Sequence, residues 1–87
     1  MSGSDGVRHY CAVTYISPAR KRGDYTVSIR SGDVHRDLGL SSQLPMVCAA
    51  LGTETFEQEN RLRRLAVTGP LNGANTLFTF IILDNWK

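Results

Sequence analysis

Three kinds of residue in this 87-residue chain could do chemistry: acids beside a histidine, thiols, and clustered cations near neutral hydrogen-bonding side chains. Asp33, His35 and Asp37 form the one acid–histidine grouping. On a helix, positions 33 and 37 share a face while 35 points about 200° away, so the three do not converge on a substrate. Cys11 and Cys48 have no partners at metal-ligand spacing, and both fall on apolar helical stripes. They read as buried free thiols in a reducing compartment. His9 and His35 stand alone and read as solvated or structural. There is no nucleophile elbow, no glycine-rich phosphate loop ahead of a helix and no metal-ligand cluster. The expectation is a protein that is not an enzyme and that takes no metal and no cofactor.

The cations point elsewhere. Arg20-Lys21-Arg22 makes a basic turn, and Arg63-Arg64 makes a second basic pair. Such runs are often only solvated loops, yet they are also what a phosphate backbone would meet. A net charge of +2 permits a polyanion partner without requiring one, so the placement of charge matters more than its sum. With 41% hydrophobic and 21% charged residues, the chain has the makeup of one globular domain with a single modest core. No run approaches transmembrane length and no signal peptide is visible. A cytoplasmic protein is expected, with no membrane partner.

The elements that must position these groups are arranged around Ser31 to Gly52. Val34 and Leu38 share one face of a short helix, and Gly39 ends it where a positive φ is cheapest. Leu40 follows as an apolar plug, and the Ser41-Ser42 hydroxyls are placed to cap a second helix. In that helix Leu44, Val47, Cys48 and Leu51 recur at the spacing of a buried stripe. Pro45 is tolerated in its first turn, and Gly52 stops it. The complementary face, Ser42, Gln43, Met46, Ala49, Ala50 and Thr53, is small and carries no carboxylate. A helix entering a major groove needs that kind of surface, although a helical hairpin that merely packs is a common alternative.

Around this unit the chain reads in order. Residues 1–6 are a fraying tail or a non-native extension, and 7–87 form the domain. Val7 to Ala19 is a helix with Val7, Cys11, Ala12, Tyr15, Ile16 and Ala19 as its stripe. Tyr25 to Arg30 alternates as a half-buried strand leading to Ser31, a plausible N-cap, with Asp33 complementing the helix dipole. Thr53 to Asn60 extends the preceding helix or forms a loop, with Phe56 as its one anchor; its glutamates should face away from any nucleic acid. Residues 61–68 form a strand with Leu65 and Val67 on one side and Arg64, Ala66 and Thr68 on the other. Gly69 to Asn75 is turn-rich, and 76–83 returns with Phe78, Phe80 and Ile82 facing the core. Trp86 is placed to cover a core edge.

Helix, strand, helix, turn, helix and a two-stranded hairpin, spanning about Val7 to Leu83, resembles the winged helix-turn-helix superfamily of DNA-binding domains. The resemblance implies an α+β fold of three helices with a small antiparallel sheet. It implies a recognition helix at about 42–52 and a wing at about 61–83, binding double-stranded DNA. Carried over by position, Ser41, Ser42 and Gln43 would meet base edges and Met46 a thymine methyl. Arg63 and Arg64 would meet phosphates at the base of the wing, and Asn72 and Asn75 would reach the minor groove from its tip. Arg20, Lys21 and Arg22 would add a phosphate clamp. The uncharged recognition helix departs from many members and leaves affinity to flanking arginines. About four to six phosphate contacts imply a log K against log salt slope of roughly −4 to −5. So few contacts call for a homodimer or a larger protein partner, and the protein would then be nucleoid-associated. The superfamily also includes modules that bind proteins instead of DNA, and an exposed Met46 on an uncharged face would suit that use.

Overall fold

A computed structural model describes residues 3–85, so Trp86 lies outside the described residues. The chain is an α+β domain with a three-stranded antiparallel sheet. It opens with one helical rod made of α1 (Gly3–Cys11), a π-helical turn (Ala12–Ile16) and α2 (Ser17–Arg22). The buried residues of this rod are Val7, Cys11, Ile16 and Ala19. The five-residue step from Cys11 to Ile16 is too long for an α-helix, and the wider π turn absorbs it. Tyr15 is partly buried against the core and meets Tyr10, with ring centroids 6.2 Å apart. Residues 3–6, expected to fray, belong to α1: Asp5 favours the N-terminal dipole and pairs with Arg8, and Gly3 abuts Met46.

The strands are β1 (Thr26–Arg30), β2 (Leu62–Thr68) and β3 (Leu77–Ile82), and β3 lies between the other two. On β3, Phe78, Phe80 and Ile82 point to the core as their alternation requires. Phe80 meets Phe56 edge-on at 5.4 Å. Between β1 and β2 the chain makes α3 (Ser31–Asp37), α4 (Leu44–Leu51) and α5 (Glu54–Asn60). Gly39 ends the α3 turn at φ 65°. Counting the opening rod as one, the described residues form four helices where three were expected. The added one is α5, started by Thr53, whose Oγ1 accepts a hydrogen bond from the Phe56 N–H at 3.2 Å. Phe56 is fully buried and pins α5 to the sheet.

Strand β2 departs from simple alternation. Arg64 sits opposite Phe80, yet Ala66 sits opposite Thr79, so the strand bulges at Leu65. The extra residue reverses the parity beyond it, so Arg64 and Val67, not Leu65 and Val67, lie on the same side of the sheet. Two features tie α3 into this frame. Tyr10 Oη donates to Asp37 Oδ2 at 2.9 Å, and that bond pushes the tyrosine pKa up. At the other end of α3, the amides of Ser31 and Gly32 donate to Thr76 and Ala74 carbonyls at 3.0 and 2.9 Å. A β-carbon on Gly32 would meet the Ala74 carbonyl at 2.5 Å, so the close approach depends on glycine. Burial also pushes the Cys11 thiol up to about 12. Both cysteines are free and buried.

Candidate nucleic-acid interface

Helix α4 is apolar on most sides: Val47, Cys48, Ala50 and Leu51 are buried, and Ala50 at 1% exposure corrects its expected place on the open face. What stays open is a narrow strip of Ser42, Pro45 and Ala49, continued by partly exposed Gly52. Nothing on it is larger than proline. Met46 is not on the strip. It is half-buried and turned toward the start of α1, with its Cε 3.3 Å from where a Gly3 β-carbon would stand. A thymine contact by Met46 is therefore not available without moving α1.

The N-terminal end of α4 is built in an unusual way. Ser42 is in the left-handed region at φ 54°, and Gln43 is the residue that starts the helix, with no side-chain cap. The Gln43 N–H is instead taken by His35 Nε2 at 3.1 Å. His35 thus anchors the residue that starts the helix from α3, across the turn, and the expected capping by Ser41 and Ser42 is not made. As a result the side chains of Ser41, Ser42 and Gln43 are exposed and make no hydrogen bond with the described residues. The grouping of Asp33, His35 and Asp37 is split among separate duties: Asp33 binds Arg30 and Arg36, and Asp37 binds Tyr10 and Arg36.

The C-terminal end of α4 faces β2. Arg64 Nη1 reaches the Gly52 carbonyl at 3.4 Å, while Arg63, opposite Ile81, projects from the other face of the sheet. Between α4 and the hairpin lies a hollow of about 310 Å³, lined by Cys48, Ala49, Arg64, Val67, Leu71 and Phe78 among others. It is largely apolar. A second hollow, of about 600 Å³, joins Gly52, Arg63 and Arg64 to Glu54 and Glu57 of α5. Glu57 Oε2 accepts from the Arg64 N–H at 3.4 Å. Two of the three glutamates of α5, Glu54 and Glu57, expected to face away, thus border the last turn of α4, while Glu59 lies beside Arg8 and His9. The cause is Phe56, whose burial fixes which way the short helix turns.

The remaining expected contacts scatter. Asn72 sits at the exposed hairpin tip at φ 55° and borders the apolar hollow. Asn75 is committed: its Oδ1 accepts from Arg30. The basic turn lies at the opposite end of the sheet, beside the end of β3. Arg20 pairs with Asp84 at 3.0 Å and donates to the Asn60 carbonyl, and Arg22 pairs with Asp24 at 2.9 Å. Arg20 and Arg22 are therefore charge-neutralised and remote from the hairpin tip, and Lys21 belongs to that same remote turn. Sequence reasoning missed His35 as the anchor of α4; its spacing of eight from Gln43 carries no local signature. No protein-family model, no curated protein and no solved structure matches the chain.

Proposed function

We propose that this domain binds duplex DNA weakly, through the N-terminal half of α4 and the arginines of β2, as a winged helix-turn-helix does. One observation carries the reading. Of the lysine and arginine side chains among the described residues, only Lys21, Arg63 and Arg64 form no ion pair; Arg64 lies beside the α4 strip, and Arg63 lines the hollow that adjoins its last turn. Arginines outside any ion pair, next to a slim, uncharged helix, are what phosphate positioning and groove entry require together. The strand order β1-β3-β2 is the one such a domain needs, and α5 is an insertion between its recognition helix and its hairpin. Ser41, Ser42 and Gln43 supply uncommitted donors and acceptors for base edges.

The set of contacts is smaller than the sequence implied. With Arg20 and Arg22 neutralised, Arg63 and Arg64 remain at the interface, which lowers the expected salt slope to about −2. The test is fluorescence anisotropy with random-sequence duplex. Binding should fall about tenfold between ~50 and ~200 mM salt, and R63A/R64A should remove most of it. No binding at ~50 mM salt, or binding indifferent to those arginines, overturns the reading.

A protein partner at the same surface is the second reading. Val67 and Leu71, 44% and 87% exposed on the hairpin, line the adjoining apolar hollow, and Leu65 at the bulge is 58% exposed. Exposed apolar groups gathered at a hollow mark contact surfaces. Binding to an apolar partner would be nearly independent of salt and insensitive to R63A/R64A.

A further inference from the structure

The two free edges of the sheet are treated differently. The β2 edge is blunted by the bulge at Leu65, by Arg63 and Arg64, and by Glu57 on the Arg64 amide. These are the usual devices that keep an edge from pairing. The β1 edge is barer: Thr26-Val27-Ser28-Ile29-Arg30 contains no proline, no bulge and no covering carboxylate on an amide, and its one charged residue, Arg30, stands at the end. Tyr25 accepts from Ile82 and Ser31 donates to Thr76, which fixes the alternation. Val27 and Ile29 bond inward to β3, and the N–H and C=O of Thr26 and Ser28 point to the open side. Alongside runs a hollow of about 430 Å³ between this edge and Thr14, Tyr15 and Pro18 of the opening rod.

We propose that β1 pairs antiparallel with β1 of a second copy of this chain, making a two-fold dimer with a continuous sheet. Charge complementarity selects the second copy and the register. Asp24-Tyr25-Thr26-Val27-Ser28-Ile29-Arg30, laid antiparallel to itself about Val27, sets Asp24 opposite the partner's Arg30 and Thr26 opposite the partner's Ser28. Thr26 and Ser28 then exchange the backbone bonds that both lack. Asp24 and Arg30 share the outward face of the sheet by parity, so each end of the joint closes with opposite charges. Their present ion-pair partners, Arg22 and Asp33, are surface groups at 63% and 34% exposure, and re-pairing them is cheap. The joint uses the sheet edge away from β2, so α4, the hairpin and their arginines stay outside it. It stands or falls independently of DNA binding.

Sedimentation equilibrium on the full chain from ~10 μM to ~1 mM tests it, spanning the range of weak, small interfaces. Wild type should show a concentration-dependent dimer. Ser28→Pro deletes an amide that β3 does not use, and it should abolish the dimer while leaving a cooperative thermal transition. Asp24→Arg should weaken the dimer about tenfold or more by facing two arginines, and Asp24→Arg with Arg30→Asp should restore it to within about threefold. A strictly monomeric wild type overturns the proposal. So does a dimer that Asp24→Arg alone leaves unweakened, or one that adding Arg30→Asp fails to restore, which also decides the matter should the proline variant fail to fold.

Discussion

The two ends of α4 differ in almost every physical respect. At its start, exposed serines and a glutamine hold hydrogen-bonding groups in reserve, while a histidine from α3 accepts the Gln43 amide. At its finish, an apolar hollow, two arginines and two glutamates crowd round Gly52. On the proposed reading, the first end meets base edges and the second meets phosphates. The lesson is that free hydrogen-bonding groups are left where the scaffold relieves side chains of structural work. The same helix loses that freedom a turn or two later, where its neighbours use every group.

The contrast can be broken most severely by removing what holds the acidic wall. Phe56→Ala should cost about 3–5 kcal/mol in chemical denaturation, since it empties a fully buried site against Phe80. Next, R63A/R64A should weaken duplex binding on the order of 100-fold at low salt, equally for all sequences, as two charge-assisted bonds are lost. Gln43→Ala should leave the salt slope alone and change the preference among duplexes by about 1–3 kcal/mol. If it alters neither affinity nor preference, the reading end has been misassigned. The mildest probe is Glu57→Gln, which should raise affinity by about two- to threefold near 50 mM salt and lose that gain as screening grows. An unchanged affinity would show that the acidic wall stands outside the contact.

Much of this arrangement was legible in the residues. The strand at 25–30, the break at Gly39, the stripe Val47-Cys48-Leu51 and the core alternation of Phe78-Phe80-Ile82 all follow from period and turn chemistry. What was not legible shares a cause: each feature inserts one residue into a period or joins distant positions. The π turn hides in the step from Cys11 to Ile16, and the bulge at Leu65 reverses a parity that looked regular. Helix α5 has one apolar residue, so periodicity could not find it, although Thr53 followed by Glu54 and Glu57 is a start signal that could have. The commitments of Asn75, Arg20 and His35 are tertiary, and spacing along the chain does not encode them.

The hairpin tip is fastened before anything arrives. Ser31 and Gly32 hold its backbone, and Thr76 Oγ1, which accepts from the Gly73 N–H at 2.9 Å and donates to the Pro70 carbonyl, braces it from within. A loop that must order on contact surrenders about 1–2 kcal/mol for each residue it freezes. Here that expense falls on folding, so the hollow beneath Leu71 has its shape before any contact is made. On the protein-partner reading, substituting Gly32 should register as faster dissociation of that partner.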